Sequence, residues 1–283
     1  MPLTDGQNSS TEPHVIVLAF PFSSHAASLH TLVRKLATAA PDVTFSFFST
    51  AKSNSSIFNA DHLDNLKAYN VSDGVPENHV FTGRPDEGVE LFMKETPGNF
   101  KRVIEVAIEE TRGLSEKKIS CVISDAFLWF AGEMAEEMKV PWVSFWIAGQ
   151  FSLSAHFYTD LIRRMVGIGP HATAGREDEP LNFISGMSGF RIGDLPEGIV
   201  AGEVDSPFSN MLHRMGQMLP RAAAVTINSF EEVNPTITDD LKSKFQKFLT
   251  VGPFSVMSSQ PSDPDLSGCL SWLDGQKQPL WHT

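Results

Sequence analysis

Only two cysteines, Cys121 and Cys269, occur in the 283 residues. That is too few for a disulfide framework, and they lack the spacing of a zinc site. Cys121 lies in an apolar run, which predicts a buried thiol and a reducing compartment, the cytoplasm. Basic residues are also scarce: 22 Lys and Arg stand against 34 Asp and Glu, a formal net charge of −12. Nucleic-acid binding needs clustered cations to displace counterions from phosphates, so a nucleic-acid partner is excluded. No stretch approaches the ~20 uninterrupted apolar residues that span a bilayer. Residues 1–13 have neither a basic region nor an apolar core, and read as a disordered leader rather than a signal peptide.

Several chemistries lack their signatures as well. The turn after the first apolar run holds no glycine, so the dinucleotide fingerprint is missing and a nicotinamide oxidoreductase is disfavoured. There is no Gly-Lys-Ser/Thr phosphate loop and no His-Glu-x-x-His pair among the nine histidines. Gly186-Met187-Ser188-Gly189 is one residue short of a nucleophile elbow.

What is present is alternation. His14–Phe22 is a continuous apolar run ended by Pro21, the pattern of a strand buried on both faces. Leu29, Leu32, Val33 and Leu36 follow at helical spacing and close at Pro41. Further strands are predicted at Val43–Phe48, Leu66–Val71, Ile119–Ser124, Trp142–Phe145 and Ala223–Ile227. Helices are predicted twice within Glu87–Leu114, from Phe127 to about Met138, and over Pro235–Phe248. The loop Ser72–Pro85 is rich in Gly and Pro and should be exposed; Gly167–Glu179 reads as a flexible loop. Strand and helix in turn imply an α/β fold, a Rossmann-like doubly wound and mainly parallel sheet over residues 14–254. Ser255–Asp265, rich in Pro, Ser and Asp, reads as an interdomain linker within a tail of residues 255–283.

In such a sheet, ligands bind beyond the carboxyl ends of the strands where strand order reverses, usually between the first and fourth. Those ends carry Phe20-Pro21-Phe22-Ser23-Ser24-His25 and Ser124-Asp125-Ala126-Phe127. A neutral imidazole removes a hydroxyl proton near pH 7, and a carboxylate on its other nitrogen fixes the tautomer and stabilises the imidazolium. Asp125 equally suits a helix N-cap, and His25 a solvated loop position. Phe20, Phe22, Phe127, Trp129 and Trp146 suit either the core or a slot for a flat aromatic ligand. The pattern leaves these readings open.

The segments at 20–27 and 124–127, together with Val71-Ser72-Asp73-Gly74-Val75-Pro76-Glu77 and Ile227-Asn228-Ser229-Phe230-Glu231-Glu232, resemble plant UDP-glycosyltransferases of secondary metabolism. Leu212–Gln217 and Gly268–Asp274 extend the match. Within that family the chain is most similar to flavonoid and anthocyanidin 3-O-glucosyltransferases, from about Pro13 to about Gln278. The resemblance implies the N-terminal, acceptor-binding half of a GT-B fold. It also implies an inverting, metal-independent transfer of glucose from UDP-glucose, a co-substrate, to a flavonoid by a monomer with no other cofactor. His25 would be the general base and Asp125 its orienting partner. Ser23 and Ser24 lie at the acceptor contact, and Phe20, Phe127, Trp146, His156 and Phe208 fall on acceptor-pocket positions.

Three positions depart from the family pattern. Ser28 stands where a proline is common, Asp86 where relatives have a polar acceptor contact, and Ile147 where a threonine reaches the sugar. After Gln278 the chain also departs from the family, whose members continue into a domain that grips UDP-glucose. The sequence therefore predicts a truncated polypeptide with negligible transfer alone, or a non-catalytic fragment that at most binds planar phenolics. The missing domain should also leave an apolar face prone to aggregation.

Overall fold

A computed structural model describes residues 12–58, 63–84, 86–112, 118–254 and 268–275. Among them seven strands form one sheet: β1 (Pro13–Leu18), β2 (Thr44–Thr50), β3 (Leu66–Val71), β4 (Lys118–Asp125), β5 (Trp142–Trp146), β6 (Ala224–Ile227) and β7 (Phe248–Thr250). Their order is β3-β2-β1-β4-β5-β6-β7, with every pairing parallel. Strand order reverses between β1 and β4, where the apolar runs place it. The predicted linker at Ser255–Asp265 and the leader lie outside the described residues, apart from the last two leader positions.

The run at β1 is apolar on both faces because helices cover both. Val15 and Val17 join a cluster with Leu29 and Val33 of α1 (His25–Ala39), whose neighbour is α2 (Ala51–Ile57). Ile16 and Leu18 point the other way. On that side lie α3 (Glu87–Glu95), α4 (Gly98–Arg112), α5 (Ala131–Met138), α6 (Gln150–Phe157), α7 (Thr159–Val166), α9 (Pro207–Met218) and α10 (Pro235–Lys244); a four-residue helix, α8 (Pro170–Thr173), falls between α7 and α9 in the chain. Phe92, Phe100 and Phe130 are fully enclosed there, each removing roughly 2–3 kcal/mol of apolar surface from water.

Three expectations need correcting. The helix predicted over Pro235–Phe248 stops at Lys244, because Phe245 takes an extended backbone (φ −106°, ψ 151°) and leads into β7. Cys121 is half-buried rather than buried, though desolvation still raises its thiol pKa to about 11. Neither cysteine forms a disulfide among the described residues. The predicted loop at Gly167–Glu179 contains α8. No helix among the described residues is long and apolar enough to cross a membrane.

Candidate active site

Neighbouring parallel strands end at the same rim, so the turn after β1 and the last residue of β4 meet. Leu18 lies opposite Ser124, one residue before Asp125. The chain then turns at Pro21–Ser24, with Ser23 in the left-handed region (φ 53°), and the Phe22 carbonyl accepts a bond from His25 N at 3.3 Å. Non-glycine residues adopt that conformation at a cost of about 1–3 kcal/mol, and such strain concentrates at functional sites. Ser24 takes the N-cap position of α1 without a side-chain cap, and both serines are exposed.

The first residue of α1 is His25, and its Nδ1 lies 2.7 Å from Asp125 Oδ2. Asp125 is 1% exposed. Its other oxygen, Oδ1, accepts from Phe127 N at 2.9 Å. One oxygen thus caps the turn after β4 and the other holds the imidazole; the helix N-cap expected at Asp125 is instead Phe130, the residue before α5. Because a carboxylate only accepts, the proton belongs on Nδ1 and the Nε2 lone pair is free. Among the described residues Nε2 has no hydrogen-bond partner.

Aromatic rings surround this pair. Phe127 stands 4.4 Å from the imidazole, and Phe20 stands 5.2 Å from it, edge-on. Trp146 and Phe208 each lie 5.8 Å from Phe127. Trp146 is fixed by its Nε1 donating to Gly149 O and touches His156 at 5.9 Å. Burial lowers the His156 pKa to about 4, so this imidazole is neutral and behaves as a flat apolar surface with a polar edge. Phe20, Phe127, Trp146, His156 and Phe208 are thus brought into one cluster around His25. Phe208, from the first turn of α9, remains partly exposed.

Other expected residues stand apart. Trp129 packs beneath the Arg214 guanidinium, 5.1 Å away, and is not part of this ring cluster. Asp86 occupies the N-cap position of α3, where Arg84 approaches it at 3.8 Å; no described contact joins it to His25. Ile147, one residue beyond Trp146, packs with the α1-side cluster and faces away from the aromatic rings. Phe22, which the sequence leaves open between core and ligand slot, takes a position between the two. It bridges Phe20 (5.1 Å) and Phe92 (5.7 Å) at the edge of the cluster. Glu87, which ties the loop at Thr82 to α3, gives no signal in sequence, because an acidic residue in a helix's first turn is an ordinary feature.

Among the described residues no group of three or more His, Cys, Asp or Glu side chains is arranged to hold a metal. The arrangement is a proton acceptor with an oriented tautomer, placed against flat apolar walls.

A Rossmann-like domain of this strand order, with its site at the β1–β4 rim, matches the N-terminal half of a GT-B glycosyltransferase. It superposes on an anthocyanidin 3-O-glucosyltransferase crystallised with UDP at a TM-score of 0.81 and 36% identity, over 94% of this chain and 58% of that one. The chain is 52% identical over 273 residues to the anthocyanidin 3-O-glucosyltransferase UFGT of Vitis vinifera, covering 95% of itself and 58% of that relative. It is 49% identical over 278 residues to a flavonol 3-O-glucosyltransferase of Arabidopsis thaliana, covering 96% of itself and 59% of the relative. No protein-family model matches the chain. The chain belongs to the plant UDP-glycosyltransferases and corresponds to their N-terminal part. It spans a little under three-fifths of the length of these relatives.

Proposed function

We propose that this chain binds and activates the acceptor in a UDP-glucose:flavonoid 3-O-glucosyltransferase, working on an anthocyanidin or flavonol. The observation that carries the reading is the 2.7 Å contact between His25 Nδ1 and the buried Asp125 carboxylate. With the acceptor's flat rings against Phe127, Trp146 and Phe208, its 3-hydroxyl would face Nε2. As Nε2 takes the hydroxyl proton, the oxygen attacks the anomeric carbon of glucose on the face opposite UDP. The new C–O bond forms as the bond to UDP breaks, UDP leaves with the electron pair, and configuration inverts. The proton stays on His25, where Asp125 balances the imidazolium charge.

UDP-glucose is a co-substrate in this scheme, and the part of the relatives beyond this match would hold it. A donor must bring its anomeric carbon within about 3–3.5 Å of the acceptor oxygen, and its diphosphate needs donors as it departs. The described residues supply acceptor contacts and the base. The 283-residue polypeptide alone is therefore proposed to bind flavonoid without appreciable transfer, as a cytoplasmic monomer.

A chimera tests the assignment: this chain joined to the remaining C-terminal part of the Vitis vinifera relative. With UDP-glucose and a flavonol it should form the 3-O-glucoside, and parallel reactions with UDP-galactose report the sugar. His25→Ala should lower kcat on the order of 10²- to 10⁴-fold. Undiminished transfer by that variant, or robust transfer by the unextended chain, would overturn the proposal.

A further inference from the structure

A cavity of about 450 Å³ lies at the carboxyl ends of β1, β2 and β3, against the same turn that starts α1. Its volume is within the range of small-molecule sites, roughly 300–1,000 Å³. Phe22, Ile57 and Phe81 give it apolar walls, and Ser23, Lys52 and Asp73 give it polar ones. The rings that gather around His25 and Phe127 do not line it. Phe22 connects the two spaces: it lines the cavity and stands 5.1 Å from Phe20, which in turn stands against His25.

The outer wall is fixed in place. Phe81 is 52% exposed, yet the loop carrying it is tied to α3 by Glu87, which is 6% exposed. One Glu87 oxygen accepts from Thr82 N at 2.7 Å and from Thr82 Oγ1 at 2.6 Å. The other lies 2.9 Å from His79 Nε2, and the His79 ring meets Phe81 edge-on at 5.0 Å. The hydrogen bond from the Thr82 hydroxyl, foremost, holds the Glu87 carboxyl below the usual range, so the tether is intact at neutral pH. A wall fixed before binding spares a ligand the ordering cost.

The polar groups are arranged for recognition rather than for each other. Lys52 has no ion-pair partner among the described residues. Asp73 Oδ1 accepts from Val75 N at 3.0 Å, and Oδ2 is unengaged among the described residues. A cation that donates and a carboxylate that accepts, facing one small space between aromatic walls, complement adjacent hydroxyls on a flat ring. We propose that this cavity holds a second, catechol-like ring of the acceptor, remote from the hydroxyl at His25, with Lys52 donating to one hydroxyl oxygen and Asp73 accepting from its neighbour. The proposal rests on the acceptor-binding reading above and adds a determinant of which flavonoid is chosen.

Calorimetric titration of the 283-residue protein tests it with two flavonols, one with adjacent hydroxyls on its pendant ring and one with none. Lys52 and Asp73 are exposed, so Lys52→Met and Asp73→Asn should leave the unfolding temperature unchanged. Each should weaken the dihydroxylated flavonol about tenfold and the other less than twofold. Phe127→Ala should weaken both ligands. If Phe127→Ala weakens both and the Lys52 and Asp73 variants weaken neither, or weaken both equally, the cavity proposal falls and the acceptor reading stands. Failure of both flavonols to bind the unaltered protein overturns both.

Discussion

His25 Nδ1 and Asp125 Oδ2 stand 2.7 Å apart although 100 residues separate them in the chain. The pairing predicts a particular outcome for Asp125→Asn. An asparagine oxygen can still accept from Phe127 N, so the turn after β4 should survive. The charge that fixes the imidazole tautomer would be gone. In the chimera, kcat should drop on the order of 10²- to 10⁴-fold while the flavonol KM changes less than threefold. A loss expressed in KM alone would contradict the role given to Asp125.

Phe208 is the ring of the cluster that remains partly exposed, so its removal leaves little cavity behind. Phe208→Ala should weaken flavonol binding by about 1 kcal/mol, roughly fivefold, through the lost ring contact. Titration of the unextended chain reads the change directly, and urea unfolding should show little loss of stability. Unchanged affinity would remove α9 from the acceptor site.

Acid should destabilise the fold through His156. Its folded pKa is about 4, held down by burial, against about 6.5 when unfolded. Below pH 6.5 the unfolded chain therefore takes up a proton that the folded chain refuses. Stability present at neutral pH falls as the pH drops from 6.5 to 4, and this contribution stops changing below that. The full loss is about 3 kcal/mol, with about 2 kcal/mol gone by pH 5. His30, also lowered to about 4 by burial and then by Arg34, adds a drop of the same sign. Urea unfolding of His156→Gln should show a shallower fall between pH 6.5 and 5 than the unaltered protein. Equal slopes would count against the burial of a neutral imidazole.

Gly216 is the contact point between α9 and the end of α6. A Cβ there would run into the backbone carbonyl of His156. In an isolated helix, alanine is better than glycine by up to about 1 kcal/mol. Here Gly216→Ala should instead destabilise the protein, by about 1–3 kcal/mol, because backbone cannot step aside as a side chain can. It should also weaken flavonol binding, since α9 carries Phe208. Denaturant unfolding and titration check the two effects separately.

The rim that holds the site was legible because parallel strands buried on both faces leave continuous apolar runs. β1 and β4 have such runs, and their ends carry His25 and Asp125. Other elements gave no such signal. In α6, Gln150, Ser154 and His156 are buried alongside Leu153, so no apolar stripe alternates with a polar one. β7 is three residues long, and its central Leu249 faces solvent, which hid it behind the pattern of α10. The cavity beside the dyad is assembled from a turn, a short helix and a long loop whose order in sequence shows nothing of their proximity. Spacing also could not separate Trp146 from Ile147, which point to opposite faces of one strand end.

The divided carboxylate of Asp125 bears on how this chain would change over generations. Replacing it by anything other than asparagine disturbs both a structural turn and an imidazole, whereas replacing His25 leaves the turn untouched. A copy released from selection for sugar transfer would thus tolerate drift at position 25 sooner than at 125. Comparing those two positions among sister copies distinguishes a retired catalyst from a working one without an assay.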